Sequence, residues 1–175
     1  MFNFKITKDV FLLEGQYFNK KVLDNLIKKT KHFTKTNPLH TEHSLKNAVQ
    51  TNWDAFVQDE DFHTFIKEIK EYFFQLNIKK FNVFDAWGGW YKKGSEAYCE
   101  KHDHLGANLC CGVLYLSDCG PGTYFPEINK TVQEKVGKFV LFHPILDHEV
   151  KKHIFQYDRY ILAFNMRKLR KGEDY

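Results

Sequence analysis

The chain has 175 residues, and 43% of them are hydrophobic. This length indicates one domain with a core large enough to be stable without covalent cross-links. The formal net charge of +4 is spread along the chain, which argues against a dedicated nucleic-acid-binding protein.

Two helices are predicted in the first half of the chain. Apolar residues recur at helical spacing between residues 19 and 33, and again between 59 and 76. The acidic cluster at 59–61 suits the N-terminus of the second helix. Residues 34–58 contain Pro38 and several Asn and Thr, and we predict that they form a long loop.

After Phe81 the chain changes to short segments that are rich in β-branched and aromatic residues and are separated by Gly, Pro, Asn or Asp. This pattern is typical of an antiparallel sandwich or barrel. We therefore predict a single, mainly β domain over residues 1–175, in which N-terminal helices (1–80) support a β core (81–170). The segments are FNVFDAWGGWYKKG, ANLCCGVLYLSD, GTYFPEI, GKFVLFHPI, HEVKKHIF and DRYILAFNMR.

The cysteines and the apolar runs of the sequence predict the cellular location of the protein. Cys99, Cys110, Cys111 and Cys119 form no CxxC pair, so we interpret them as reduced thiols. The first residues, MFNFKITKDVF, lack the apolar stretch of a signal peptide, and no apolar run reaches membrane-spanning length. We expect a soluble cytoplasmic protein with no membrane partner.

A pair of histidines precedes one predicted strand, in the stretch EKHDHLGANLCCGVLYLSD. If the strand begins early enough, His102 and His104 project from one face while Asp103 points away. Both imidazoles then reach one ion, and imidazole suits Fe, Zn, Cu and Ni. The alternative is a pair of surface histidines without a ligand.

An arginine, Arg159, opens the apolar segment DRYILAFN. A guanidinium at the head of a buried strand needs an anion, because it is permanently charged. That anion is either a ligand carboxylate or an internal Asp or Glu.

The motifs occur in an order that resembles the iron(II)- and 2-oxoglutarate-dependent oxygenases, in particular their prolyl-hydroxylase-like and phage-encoded branches. The order is HxH, GVLYL, GTYFPEI, VGKFVLFHPILDHEV and DRYILAFN, and it covers roughly residues 87–167. The resemblance implies a double-stranded β-helix, that is, a cupin-like jelly roll. It also implies Fe(II) as the metal and 2-oxoglutarate as the cosubstrate.

The resemblance also assigns roles to residues. His102 and His148 match the two histidine ligands, and His104 stands where the family has Asp or Glu. Arg159 and Tyr115 match the pair that holds the far carboxylate of 2-oxoglutarate, and Thr123 and Phe125 match a supporting turn. Tyr91 and Tyr98 fall where the family lines the cofactor and substrate pocket.

The identity of the third metal ligand is open at this point. The first choice is His104, which gives a three-histidine site. In the second, the alignment slips by one residue and Asp103 is the ligand. In the third, His104 is the first ligand and Gly106 marks an open position, as in halogenase-like sites.

Three functions compete. The first is a dioxygenase that hydroxylates a protein side chain or a small metabolite and decarboxylates 2-oxoglutarate to succinate and CO2. The second is a cupin-like three-histidine metalloenzyme that does not use 2-oxoglutarate, which predicts that Arg159 pairs with a protein carboxylate. The third is a non-catalytic binding module on the same fold. The primary substrate and the oligomeric state do not follow from the sequence.

Overall fold

The computed structural model of the chain describes residues 10–39, 44–105 and 109–169. Its helices are α1 (Lys20–Thr36), α2 (Glu60–Glu68) and α3 (Lys70–Gln75). The side chain of Asn19 caps α1 by accepting from the Val22 N–H, and Asp59 caps α2 by accepting from the Phe62 N–H. Both predicted helices are confirmed, although the second is interrupted at Ile69. None of the helices in the described ranges is both long and apolar enough to cross a membrane.

The strands of the described residues are β1 (Leu12–Gln16), β2 (Leu45–Lys46), β3 (Val49–Gln50), β4 (Asn82–Tyr91), β5 (Glu96–His102), β6 (Cys110–Tyr115), β7 (Thr123–Phe125), β8 (Lys130–Val132), β9 (Lys138–Phe142), β10 (His148–Ile154) and β11 (Arg159–Arg167). They form two antiparallel sheets. The larger has six strands in the order β1-β9-β6-β11-β4-β3, and the smaller has five in the order β2-β5-β10-β7-β8. All six predicted β segments contain a strand.

The larger sheet lies between the helices and the smaller sheet, and each of its faces is buried in a separate core. Strand β11 illustrates the division. Its Leu162 and Phe164 pack with the helices, whereas Ile161 and Ala163 pack between the sheets. Burial on both faces explains why β11 is an almost unbroken apolar run rather than an alternating one. The fold class predicted from the sequence, a jelly roll with N-terminal helices, is confirmed.

The first 80 residues do more than support the β core, which corrects the predicted division at residue 81. Strand β1 is an edge of the larger sheet, where it pairs with β9. The predicted loop 34–58 also contributes strands, because β2 pairs with β5 and β3 pairs with β4. These strands are too short for their periodicity to be read from the sequence. All four cysteines are free, and Cys110 and Cys111 are buried.

Candidate metal centre

Two histidines meet because neighbouring strands place them opposite each other. His102 is the last residue of β5 and His148 is the first residue of β10, and the two are directly paired in the antiparallel register. Side chains of directly opposed residues lie on the same face of a sheet. Their ring centroids are accordingly 4.3 Å apart.

The third histidine comes from the turn that follows β5. His104 lies beyond the end of that strand, and its backbone N–H donates to the carbonyl of Pro144 at 3.0 Å. Its ring centroid is 5.1 Å from that of His102 and 5.2 Å from that of His148. One ligand nitrogen from each of the three rings lies within 4.8 Å of the others. The predicted trio therefore converges, but a turn, and not strand alternation, delivers His104.

The environment keeps the three imidazoles neutral. Burial and the neighbouring histidines hold the pKa of His148 well below its usual range and lower that of His104 to about 4. Burial likewise lowers the pKa of His102. The Nδ1 atom of His102 is 2.7 Å from the Glu100 carbonyl oxygen, so Nδ1 carries the proton and Nε2 keeps its lone pair. Neutral rings with a free lone pair are what a divalent metal requires.

Asp103 lies between two of these histidines and lines the same cavity as they do, but one of its oxygens is bound to the backbone. It is exposed, and its Oδ1 accepts a hydrogen bond from the Leu105 N–H at 3.2 Å. Among the described residues, the group of close ligand atoms contains the three imidazoles and not Asp103. Gly106, which the halogenase-like alternative requires, lies outside the described residues.

The histidines lie on a cavity of about 310 Å³ between the two sheets, and Arg159 lies on the same cavity. The Arg159 side chain is fully buried. Its Nε donates to Oε1 of Glu134 at 2.6 Å, and its guanidinium carbon is 4.2 Å from the centre of the Tyr91 ring. Its Nη1 atom is buried with no hydrogen-bond partner among the described residues. One edge of the guanidinium is therefore paired and another is still available to an acceptor.

The predicted tyrosines divide into two groups. Tyr91 lines the cavity, as expected. Tyr115 is fully buried, but its hydroxyl donates to Thr123 Oγ1 at 2.7 Å, and it is Thr123 that lines the cavity. Thr123, assigned a supporting role from the sequence, therefore lines the cavity, whereas Tyr115 lies behind it.

Tyr98 is not among the residues that line the cavity. It lies between Ala97 and Cys99, which are buried between the sheets, so strand alternation directs Tyr98 to the opposite face. This placement corrects the expectation for Tyr98.

Three residues of the cavity region were not found from the sequence. Glu134 follows β8 in a charged stretch, QEK, that has no distinctive pattern. Gln50 and Trp53 lie in the segment that was predicted to be a loop, and both line the cavity. Trp87 also lines the cavity, whereas the ring of Trp90 stacks on that of Tyr160 with centroids 6.2 Å apart.

No family model and no curated protein sequence matches the chain. Solved structures do match it over nearly its whole length. The viral collagen prolyl hydroxylase vCPH of Paramecium Bursaria Chlorella virus-1, in its 2OG complex, is 19% identical with a TM-score of 0.66, and the match covers 90% of this chain and 96% of that one. A Pseudomonas putida prolyl-4-hydroxylase is 15% identical with a TM-score of 0.65, over 91% and 93% of the two chains.

A third match is HygX from Streptomyces hygroscopicus, which was solved with nickel and 2-oxoglutarate bound. It is 11% identical with a TM-score of 0.66, over 90% of this chain and 82% of that one. At these identities the likeness shows the fold. The chain therefore has the jelly-roll fold of the 2-oxoglutarate-dependent oxygenases, as the order of its motifs predicts.

Proposed function

We propose that this protein is an Fe(II)- and 2-oxoglutarate-dependent dioxygenase with a three-histidine metal site. The observation that carries the proposal is one cavity that contains both parts of such a site. The three imidazoles converge on it, and the buried guanidinium of Arg159 also lines it.

The residues fit the metal. His102, His104 and His148 offer three neutral nitrogen ligands, and imidazole is a suitable ligand for iron. The rings of Phe142 and Phe125 lie 4.7 and 5.9 Å from that of His148 and keep water from one side of the centre. The convergence of the rings and the hydrogen bond of Asp103 to Leu105 both favour His104 over Asp103 as the third ligand.

The residues also fit the cosubstrate. The Nη1 of Arg159, which has no hydrogen-bond partner in the described part of the chain, is a buried charged donor, and a carboxylate is its natural acceptor. Tyr91 supports the guanidinium through its ring face, and Thr123 of the smaller sheet lines the same cavity. Bound Fe(II) with 2-oxoglutarate and O2 would supply the oxidising chemistry, in which one oxygen atom of O2 goes into the succinate formed with CO2 and the other hydroxylates the substrate.

We infer a protein side chain or a small metabolite as the primary substrate, and not a nucleic acid, because the charge of the chain is only mildly positive. The four free thiols support a cytoplasmic location.

A second candidate is a three-histidine metalloenzyme that does not use 2-oxoglutarate. The observation that supports it is the ion pair between Arg159 and Glu134. In such an enzyme no cosubstrate neutralises Arg159, so a protein carboxylate must do so, and Glu134 is that carboxylate. The ion pair with Glu134 involves Nε of Arg159 and leaves Nη1 available to a ligand carboxylate. It therefore weakens the first proposal without excluding it.

Anaerobic titration of the apoprotein with Fe(II) and then 2-oxoglutarate tests the proposal. We expect a weak absorption band at ~500 nm, which is typical of a 2-oxo acid chelated to Fe(II). We expect the band to be lost in His104→Ala and kept in Asp103→Ala. The exposed His153 provides a matched control, since His153→Ala removes an imidazole outside the site.

Arg159→Lys separates the two candidate functions. Lysine retains a positive partner for Glu134 but lacks the guanidinium fork, so we expect the band to require much more 2-oxoglutarate. Iron binding without a band in the wild type would contradict the first proposal and favour the second. A band that survives His104→Ala would contradict the three-histidine site.

A further inference from the structure

A glutamine in the wall of the cavity has no use in the chemistry described above. Gln50 is the last residue of β3, and only 6% of its surface is exposed. Among the described residues, neither its Nε2 nor its Oε1 has a hydrogen-bond partner. Buried side-chain amides are ordinarily paired, because an unpaired amide gives up its bonds to water without replacement.

The fold directs this amide into the cavity. Gln50 is directly opposite Gly89 of β4, so the two residues face the same side of the larger sheet. On that side Gly89 lies between Trp87 and Tyr91, and both of these line the cavity. Gln50 lines it as well, on the wall formed by the segment around β2 and β3.

Two indoles form the surface beside this amide. The rings of Trp53 and Trp87 meet edge to face with centroids 4.6 Å apart, and both residues line the cavity. The Trp87 ring is also 6.5 Å from that of His104, so this aromatic wall leads from the region of Gln50 to the metal centre. Flat indole faces accept a planar group, and the amide beside them can bind its edge.

We propose that Gln50 recognises the primary substrate, and that this substrate presents a planar amide edge, with an N–H and a C=O side by side. The carboxamide of Gln50 is the complement of such an edge, because its oxygen accepts from the N–H while its nitrogen donates to the C=O. A primary carboxamide has this edge, and so does one residue of an extended peptide. The inference rests on the proposed function only in treating this cavity as the substrate site.

Side-chain amide NMR tests the proposal directly. The ¹H–¹⁵N signals of the Gln50 side chain are those that disappear in Gln50→Met, a change of similar shape that removes both polar atoms. Titration of the wild type with benzamide should move these signals, because the Gln50 amide gains a partner. N-acetylalanine N-methylamide, titrated in parallel, distinguishes a peptide edge from a small carboxamide.

Two further probes test the need for a hydrogen-bond donor. N,N-dimethylbenzamide and methyl benzoate keep the ring and the carbonyl but lack the N–H. We expect both to bind at least ~10-fold more weakly than benzamide, because Gln50 Oε1 would be left unpaired. In Gln50→Met this preference should disappear. Gln58→Met is the matched control, since Gln58 is exposed, and it should retain the preference.

Several results would overturn the inference. These are equal binding of all the probes, no binding of either amide probe, or a preference that persists in Gln50→Met. Because the Gln50 side chain has no hydrogen-bond partner to lose within residues 10–39, 44–105 and 109–169, we expect the variant to fold and to melt no lower than the wild type. The measurement needs neither iron nor 2-oxoglutarate, so its failure is distinguishable from failure of the band expected in the metal titration.

Discussion

Arg159 reaches the cavity already paired along one edge of its guanidinium. The family that the chain resembles has Asp or Glu where His104 stands, and an arginine that pairs with the far carboxylate of the cosubstrate. This chain has a third imidazole at the metal centre and a carboxylate, Glu134, on the arginine. Compared with the family pattern, this chain lacks a negative charge among the candidate metal ligands and has one beside Arg159. Burial raises the pKa of Glu134, and the adjacent guanidinium offsets only part of that effect.

This difference predicts that Glu134 weakens the binding of a dicarboxylate. In Glu134→Gln the amide oxygen can still accept from Nε, while the negative charge near the cosubstrate is removed. We expect 2-oxoglutarate to bind about 10-fold more tightly, because repulsion between two carboxylates in a buried site is lost. Isothermal titration of the metal-loaded variant measures this change. The exposed Glu127→Gln should behave as the wild type, and weaker binding by Glu134→Gln would show that the ion pair positions Arg159 instead.

At the scale of residues, the sequence predicts those site residues that are marked by the order of the motifs or by a permanent charge at the start of a strand. His102, His148 and Arg159 lie at strand ends, and strand ends are visible as breaks in an apolar pattern. Gln50 and Glu134 carry no such signal, because their burial results from strands distant in sequence, β4 for Gln50 and β11 for Glu134. Tyr98 shows the converse error, since a shift of one residue along a strand reverses its face.

Helices α1 and α2 are joined by a lysine between two aspartates. Lys29 of α1 forms ion pairs with Asp59 and Asp61, each at 2.6 Å, and Asp59 is also the N-cap of α2. The Asp59 carboxylate therefore caps the N-terminus of α2 and also holds α2 against α1. This layer covers the outer face of the larger sheet, and the metal centre lies on the other side of that sheet.

We predict that Asp59→Ala destabilises the fold and spares the metal centre. Loss of the cap and of one Lys29 pair should lower the free energy of unfolding by about 1–2 kcal/mol. Asp24→Ala is the comparison, because the exposed Lys20–Asp24 pair should contribute less than about 0.5 kcal/mol. Urea denaturation measures both values. A change in Fe(II) affinity in Asp59→Ala would contradict the separation of the two layers.

At the scale of elements, periodicity predicted both helices and all six β segments. It missed the interruption at Ile69, where no Gly or Pro marks the break. Ile69 is 2% exposed and packs in the core, and its backbone has φ −89° and ψ 12°. It also missed β1, β5 and β8, which lie outside those six segments, and it missed β2 and β3, because strands of two residues have no measurable alternation.

Two histidines of the candidate metal centre and the buried Arg159 lie on different sheets. His102 and His148 belong to the smaller sheet, and Arg159 and Tyr91 belong to the larger. Ligands that bind both ends would therefore connect the two halves of the jelly roll. The same position between the sheets removes the imidazoles from water, and this burial has a cost that depends on pH.

We predict that the metal-free protein loses stability as the pH falls below about 6.5, the ordinary pKa of histidine. In the folded state burial, reinforced by the neighbouring His102, lowers the pKa of His104 to about 4, whereas the unfolded chain takes up protons near 6.5. Between these values the unfolded state binds more protons, so the free energy of unfolding decreases as the pH falls through this window.

At pH 5 the contribution of His104 to this loss is at most about 2 kcal/mol, and above pH 6.5 it vanishes. Thermal melts in the presence of a chelator, at pH values from 7.5 to 5.0, measure the effect. His104→Gln should show a smaller decrease in melting temperature over this range than the wild type. His153→Gln, which changes an exposed ring, should follow the wild type. Parallel pH profiles for His104→Gln and the wild type would show that the imidazoles accept protons without cost, and that the centre is more open to water than its burial indicates.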